Sequence, residues 1–289
     1  MAKMMNVNPF RVVNDSARVE AAGEDGYLFL PGLLSRDDVM AVRKDVTIVA
    51  NRHGLLRAGT PPHKGIADQG NLMLDGYSTP EYRAYYTDLL SQRSVHALSL
   101  QPVLMDVLAA MLGEPVFAHP RNIIRTFFPG RSDITTRPHQ DHRPIKGTTE
   151  VWTAWIPLGD CMEPLGGLAV VPGSHRTGLN EVAEGTIDVD LGDTISWRWN
   201  PMHCGDVLLF HSLTVHQGRD NTTADQIRFS CDFRYQGRTK PVHEHSLLPH
   251  MRWSTWEELY SRWPPNDPLC FYWESYNLDI LTNDHHDSV

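Results

Sequence analysis

Two histidines and an aspartate lie within four positions of one another in the stretch TRPHQDHRP, residues 136–144. In an extended chain alternate side chains point to the same side, so His139 and Asp141 would face one point while Gln140 and His142 face away. An imidazole and a carboxylate are two of the three ligands of a facial two-histidine, one-carboxylate metal site. The alternative is a polar surface loop, and a metal site requires a third ligand from elsewhere in the chain.

The third ligand has four histidine candidates further along the chain: His175, His203, His211 and His216. His211 and His216 are five positions apart, so in an extended chain they face opposite sides and only one can reach a cavity. The apolar run CGDVLLF before them predicts a strand that carries a histidine to the rim of a cavity. We predict that His216 is the ligand, because Arg228 follows it twelve positions later on a polar strand face.

That strand is RFSCDFRYQ, residues 228–236, in which polar and apolar residues alternate. The side chains on its polar face are Arg228, Ser230, Asp232 and Arg234. A row of polar groups on one strand face lies against either solvent or a polar cavity, and an arginine held in a cavity can pair bidentately with a carboxylate. The sequence therefore predicts a metal site with an anion anchor beside it, formed by His139, Asp141, His216 and Arg228.

The elements that would position these residues change in character along the chain. The first part predicts a strand at Tyr27–Leu30, a helix capped by Ser35 and ended by Gly54, and helices at Glu81–Leu90 and Pro102–Leu112. After Pro115, short segments rich in β-branched and aromatic residues predict antiparallel strands. A short helix returns in STWEELYSRWPP.

This order predicts one α+β domain over residues 1–289 with a mainly β core. The parts we predict are a helical N-terminal part at about 1–115, a β core at about 116–236 and a C-terminal helical cap at about 237–289.

Composition narrows the class of protein. The net charge is −9 and there is no basic run, which argues against a nucleic-acid partner. No run of 18 apolar residues or secretory signal is present, so we expect no membrane span and a cytoplasmic location. The cysteines are scattered singly, as is typical of reduced thiols in a cytoplasm.

The chain resembles the phytanoyl-CoA dioxygenase family of iron(II)- and 2-oxoglutarate-dependent oxygenases. The resemblance covers roughly residues 24–236 and rests on several stretches in the family's order. These stretches are DGYLFLPGLLSRDDVMAVRKDV, HQDH, WIPLGDC with GGLAVVPGSH, GDVLLFHSLTVH and NTTADQIRFSCDFRYQ. It implies a double-stranded β-helix, a jelly-roll or cupin-like barrel.

The resemblance also implies roles for individual residues. His139, Asp141 and His216 would hold iron(II), and Arg228 would bind the distal carboxylate of 2-oxoglutarate. Trp155 matches a tryptophan that lines the cosubstrate pocket, although a core aromatic is the alternative. Ser230, on the strand face of Arg228, could bind the same carboxylate. Its hydroxyl matters more because Gly218 stands where the family often has serine or threonine.

The activity implied is oxidation of an unactivated C–H bond of a small organic molecule, with O₂ consumed and succinate and CO₂ released. Because Asp141 is present, hydroxylation is favoured over halogenation, while desaturation, epoxidation and ring closure stay open. Ascorbate would serve as reductant in vitro. The other classes left open are a non-catalytic β-barrel binding module and a zinc-dependent hydrolase using the same ligands.

The substrate is the least determined feature of the sequence. A secondary metabolite or small organic acid is our leading expectation, and it comes from the breadth of the family. Arg125 and Arg137, on either side of the segment that leads to the HQD motif, are candidates for holding an anionic group, although for both of them we expect exposure to solvent before a role in binding. A homodimer is also left open.

Overall fold

The computed structural model describes residues 6–72, 79–182 and 195–282. Within them the α-helices are α1 (Arg18–Asp25), α2 (Arg36–Arg52), α3 (Pro80–Leu90), α4 (Arg93–Ser99), α5 (Pro102–Leu112), α6 (His142–Ile145) and α7 (Trp256–Tyr260). The first six strands are β1 (Asn6–Asn8), β2 (Tyr27–Leu30), β3 (Val116–Ala118), β4 (Ile123–Phe127), β5 (Trp152–Pro157) and β6 (Gly167–Val170). The remaining strands are β7 (Ser196–Arg198), β8 (Val207–His211), β9 (His216–Arg219), β10 (Arg228–Gly237), β11 (Val242–His243) and β12 (Ile280–Leu281).

The core is two facing sheets. The major sheet has six strands in the order β2-β8-β5-β10-β3, with β4 also paired to β10, and its pairs are antiparallel. The minor sheet has the order β1-β7-β6-β9, and β11 pairs with β12 separately. The mixed α and β architecture with a mainly β core is therefore confirmed.

Successive side chains along the strands of the major sheet point to opposite faces, and the two faces contact different parts of the molecule. On one face Leu209, Ile156 and Phe233 pack with the apolar sides of the helices. On the other face Phe29, Trp155 and Phe210 are clustered with side chains of the minor sheet. The cavity described below lies on this second side, so the helices support the sheet from behind.

Helices with strong terminal signals are where the sequence predicts them. The Ser35 side chain accepts hydrogen bonds from the amides of Asp37 and Asp38 at the start of α2, and Val39, Val42 and Val46 on its inner face are buried. Helices α3 and α5 are confirmed too, the latter ended by Gly113 in a left-handed conformation. Helices α1 and α4 were not predicted; they are short, at eight and seven residues, and neither has a side-chain N-cap.

The N-terminal part is less separate from the β core than the predicted division implies. Strand β2 is an edge strand of the major sheet, paired with β8, and β1 pairs with β7 in the minor sheet. Residues before 115 therefore complete both sheets.

One described segment, Arg93–Leu112, is long and apolar enough to cross a bilayer by length and composition alone. The chain does not form one helix there, because α4 ends at Ser99 and α5 begins at Pro102. Leu98, Leu104 and Leu108 are buried in the main core. The apolar character of this segment is thus that of two core helices.

The C-terminal residues form an aromatic cap whose side chains surround a buried histidine. The His96 ring contacts Trp256, Tyr260 and Trp263. Its Nε2 lies 2.8 Å from the Leu90 carbonyl oxygen, to which it donates, and its Nδ1 lies 3.2 Å from the Asn122 amide, from which it accepts. This pairing requires the neutral ring.

We expect His96 to make the fold sensitive to acid. Burial lowers the pKa of His96 to about 4, below its ordinary value of 6.5, so between these values the unfolded chain binds a proton that the folded chain does not. Its contribution is complete above pH 6.5 and is lost as the pH falls toward 4, amounting to about 2 kcal/mol between pH 7 and 5. Denaturant unfolding at both pH values should show a smaller difference for His96→Gln than for wild type. The exposed His63→Gln variant is the control, and an equal pH dependence in all three proteins would contradict the assignment.

Candidate metal centre and its cavity

His139 and His216 are held side by side by the main chain. The His139 amide donates to the His216 carbonyl at 2.9 Å, and the His216 amide donates back at 3.0 Å. Such a reciprocal antiparallel pair places the two side chains on the same face of the ladder. Their ring centroids are 4.1 Å apart, and both residues are buried.

Asp141 faces both rings from the start of α6. Its Oδ1 lies 3.7 Å from Nε2 of His139 and 3.8 Å from Nε2 of His216. Its Oδ2 accepts a hydrogen bond from Thr153 Oγ1 at 2.8 Å and one from Arg234 Nη2 at 3.4 Å. The carboxylate thus has one oxygen held by the protein and one directed at the histidines.

The two imidazoles are held in the same way. His139 Nδ1 lies 2.8 Å from the Arg137 carbonyl oxygen, and His216 Nδ1 lies 3.0 Å from that of Thr214. Donation to a carbonyl places the proton on Nδ1 and leaves the Nε2 lone pair free, as is typical of metal-binding histidine. The three remaining atoms, two Nε2 and one Oδ1, lie within 4.8 Å of one another.

Electrostatics keep the three groups in the states that a metal needs. Burial lowers the pKa of His139 to about 3 and also lowers the pKa of His216, so both rings are neutral at neutral pH. Burial alone would raise the pKa of Asp141, but the Arg234 guanidinium and the hydrogen bond from Thr153 hold it well below its ordinary value. Two neutral imidazoles and one carboxylate carry a single negative charge, which favours a cation.

The convergence of His139 and Asp141 agrees with the sequence, but the predicted extended geometry is wrong. Asp141 has helical torsion angles, φ −67° and ψ −23°, because the chain turns into α6 there. Gln140 points away as expected. Its side-chain amide donates to the carbonyls of Gly178 and Leu213 and fastens the surrounding loops.

The other histidine candidates lie outside this centre. The His211 ring packs against Trp152 and His175 instead, and its Nδ1 accepts from the Leu213 amide. His203 is largely exposed. Among the described residues, the only group of three or more metal-ligating side chains close enough to share an ion is His139, Asp141 and His216.

Arg228 lies at the edge of a cavity that His139 and His216 also line. Its guanidinium stacks 4.0 Å from the ring of Phe127, and Nη1 donates to the carbonyls of Leu165 and Arg219, each at 2.9 Å. Burial lowers the pKa of Arg228 to about 10, so it stays charged at neutral pH. No carboxylate of the described residues forms an ion pair with it, and its buried Nε has no hydrogen-bond partner.

Trp155 and Ser230 are near this arginine in different settings. Trp155 lines the cavity and also packs in the apolar cluster between the sheets. It therefore has both of the positions that the sequence left open, a pocket wall and the core. Ser230 is fully buried and its hydroxyl has no hydrogen-bond partner. A buried hydroxyl left unpaired in this way is costly unless a ligand or water completes it.

The two arginines proposed for substrate lie in different places. Arg125 is half-buried, lines the cavity and pairs with Asp232, so the expectation of solvent exposure is wrong for it. Arg137 is exposed, and its carbonyl rather than its guanidinium contacts the centre.

Gly218 also lines the cavity, and the structure shows why a side chain there would be crowded. A Cβ atom at this position would lie 3.3 Å from the Thr135 methyl group and 3.4 Å from the Thr136 amide nitrogen. The glycine that stands here in place of serine or threonine therefore allows the segment before His139 to approach β9 closely.

Thr153 and Arg234 were missed as functional residues in the sequence. They face each other across β5 and β10, and both hydrogen-bond to Asp141 Oδ2. A signal was present, since Thr153 alternates with Trp155 on one strand face and Arg234 continues the polar face of Arg228. Their contact with Asp141 depends on strand register, which spacing alone does not provide.

Two histidines and one carboxylate buried between β-sheets form the ligand set of mononuclear non-haem iron enzymes. A model of the phytanoyl-CoA dioxygenase family matches residues 23–230, well over half of the chain. The chain belongs to this family, and it is accordingly an oxidoreductase that uses iron(II), 2-oxoglutarate and O₂.

Similar proteins include bacterial hydroxylases and enzymes from nogalamycin biosynthesis. The chain is 28% identical over 250 residues to 1-deoxypentalenic acid 11-beta-hydroxylase of Streptomyces arenae, covering 78% of this chain and 82% of that one. It is 26% identical over 211 residues to methylphosphonate hydroxylase of Gimesia maris, covering 72% and 75%. Among solved structures, the epimerase SnoN in complex with Fe³⁺, alpha ketoglutarate and nogalamycin RO has a TM-score of 0.59 at 20% identity, covering 79% and 85%. The carbocyclase SnoK has a TM-score of 0.54 at 23% identity, covering 90% and 96%, and both likenesses concern the fold.

Proposed function

We propose that this protein is a hydroxylase that inserts one oxygen atom into a C–H bond of a small organic molecule. His139, Asp141 and His216 would hold the iron, and Arg228 would bind the distal carboxylate of 2-oxoglutarate. The observation that carries the proposal is the arrangement of ligand atoms. Each of the three side chains has one polar atom bonded to protein and its other atom directed at a common point.

The donor set fits iron(II), since imidazole nitrogen and carboxylate oxygen are its usual protein ligands in open facial sites. Bound iron with 2-oxoglutarate supplies the oxidation, in which O₂, 2-oxoglutarate and C–H give C–OH, succinate and CO₂. Thr153 and Arg234 orient the carboxylate of Asp141, and the two backbone carbonyls orient the histidine rings. Phe127, Trp155 and Phe210 give the cavity wall apolar surface between its charged groups, which limits the access of water.

The cosubstrate would lie between the metal ligands and Arg228. The Arg228 guanidinium has no carboxylate partner in the described residues, and the unpaired Ser230 hydroxyl is two positions away on the same strand face. Both would be completed by the carboxylate of 2-oxoglutarate, with Trp155 packing beside it. The two facing sheets support assignment of the fold as a double-stranded β-helix.

The relatives support a small-molecule substrate of secondary metabolism. The names of the two hydroxylases given above each specify a small organic acid as substrate. Hydroxylation is our choice because Asp141 is retained and the curated relatives are hydroxylases. Ring closure and epimerisation are the activities named for the structural neighbours. The cytoplasmic location and the homodimer stay predictions.

Succinate formation from 2-oxoglutarate tests the proposal without knowledge of the substrate. With iron(II), ascorbate and O₂ we expect slow turnover by the wild type, lowered at least about 100-fold in His216→Ala because a metal ligand is lost. His203→Ala, an exposed histidine outside the centre, is the matched control and should retain the wild-type rate.

Equal rates in wild type and His216→Ala, or no succinate under any condition, would reject the oxygenase. The second outcome would leave the non-catalytic binding module. Turnover of an ester or amide with zinc, but none of 2-oxoglutarate with iron, would favour the zinc hydrolase.

A further inference from the structure

An ion pair that the iron site does not use lines the same cavity. Arg125 on β4 and Asp232 on β10 are joined by a bond of 2.5 Å between Nε and Oδ2. Asp232 lies opposite Trp155 in the ladder of β5 and β10, and Arg125 lies opposite Ser230 in the ladder of β4 and β10. Both side chains face the cavity together with His139 and His216.

The pair leaves hydrogen-bonding capacity unused on the cavity side. The Nε bond to Asp232 is the only hydrogen bond of the Arg125 guanidinium to the described part of the chain. The Arg125 side chain is 30% exposed, while that of Asp232 is 6% exposed. The guanidinium is therefore accessible to a ligand, and the buried aspartate fixes its Nε. A guanidinium with both Nη groups open can donate two parallel hydrogen bonds to one carboxylate.

The charges around the cavity favour an additional anion. The charged side chains that line it or contact the metal ligands are three arginines and two aspartates: Arg125, Arg228, Arg234, Asp141 and Asp232. Their net charge is one positive. Ferrous iron and dianionic 2-oxoglutarate cancel each other, so the loaded site keeps this positive charge. Uncompensated charge in a buried site is unfavourable, and a monoanionic ligand removes it.

Of the three arginines, Arg125 is the one available to such a ligand. Arg234 is buried and its Nη2 is bonded to Asp141. Arg228 is assigned to the cosubstrate in the proposed function. Arg121 donates to the carbonyls of His245 and Pro249 and does not line the cavity.

We propose that the substrate is a small organic acid whose carboxylate is bound by the Nη atoms of Arg125, and that Asp232 is the positioning residue that fixes the guanidinium. This inference rests on the proposed function, because it assigns Arg228 to 2-oxoglutarate and the remaining cation to the substrate. Binding by Arg125 would select substrates by their negative charge. It would also place a C–H bond near the substrate carboxylate close to the metal centre.

Binding of matched acids and amides tests the inference. The probes are cyclohexanecarboxylate, 1-adamantanecarboxylate and abietate, each paired with its primary amide, added to the iron(II) protein saturated with 2-oxoglutarate without O₂. Calorimetric titration should give at least one acid that binds at least about 10-fold more tightly than its amide. Arg125→Gln should abolish this preference, and Arg125→Lys should keep part of it because the charge remains but the fork does not.

Arg57→Gln is the control, since Arg57 forms an exposed ion pair with Asp225 and lies outside the cavity. The inference is overturned if no acid is preferred over its amide, or if Arg125→Gln weakens acid binding no more than Arg57→Gln does. It is also overturned if Arg125→Gln raises the KM for 2-oxoglutarate in uncoupled succinate formation, which would assign Arg125 to the cosubstrate. In each case succinate formation by wild type, and its loss in His216→Ala, still decides the proposed function separately.

Discussion

Asp141→Asn is expected to abolish both iron binding and turnover of 2-oxoglutarate while leaving a folded protein. The substitution preserves the shape of the side chain but replaces the only anionic ligand with a neutral amide. We expect iron affinity to fall at least about 100-fold and succinate formation to fall below detection. Equilibrium dialysis with iron(II) and the succinate assay measure the two effects.

The same substitution should also destabilise the metal-free protein. Arg234 is buried, and Asp141 is the only carboxylate that pairs with it in the described part of the chain. Leaving a buried cation unpaired costs about 3 kcal/mol, so the unfolding midpoint should fall. Asp133→Asn, an exposed carboxylate paired with Arg131 in the loop before the HQD motif, is the control and should change neither property. An Asp141→Asn protein that binds iron as wild type does would refute the ligand assignment.

Arg228→Gln is expected to raise the KM for 2-oxoglutarate about 100-fold. A charge-assisted bidentate pair contributes about 2–3 kcal/mol, and its loss weakens cosubstrate binding by the corresponding factor. Arg228→Lys should recover part of the affinity, because it restores the charge without the planar fork. Initial rates of succinate formation over a range of 2-oxoglutarate concentrations give both values.

A structural effect of removing this arginine must be separated from its effect on binding. Arg43 provides the comparison, since it is a partly buried arginine that also donates to backbone carbonyls, at Leu158 and His63. Arg43→Gln removes similar structural hydrogen bonds but should leave the KM unchanged. If both substitutions raise the KM equally, Arg228 supports the fold rather than the cosubstrate.

The sequence predicts the parts of this molecule that local signals specify. Capping by Ser35 and the glycines at 54 and 113 define helices, and alternating polarity defines β10 and its cavity face. His216 could be chosen among four histidines because its neighbours on the chain, an apolar strand before it and Arg228 after it, form a pattern. Short helices without a side-chain N-cap, such as α1 and α4, carry a weaker signal, since tertiary packing supplies most of their stability.

The contacts that depend on strand register could not be predicted from the sequence. Arg125 and Asp232 are 107 positions apart, and only the pairing of β4 with β10 brings them together. The bonds from Thr153 and Arg234 to Asp141 depend in the same way on the register of β5 against β10. The turn at Asp141 was missed for another reason: the HxD spacing is compatible with several backbone conformations, and an extended one was assumed.

The main-chain bridge between His139 and His216 bears on how the protein acquires its metal. The two backbone hydrogen bonds align the imidazoles before any ion arrives. Metal binding therefore requires little further ordering of the protein, and the metal-free site can exchange ions readily. Nitrogen and oxygen donors of this kind hold nickel and zinc more tightly than ferrous iron. The ion found in a purified sample would therefore record which metals the cell and the buffers supplied, and stripping with a chelator before adding ferrous salt would decide its specific activity.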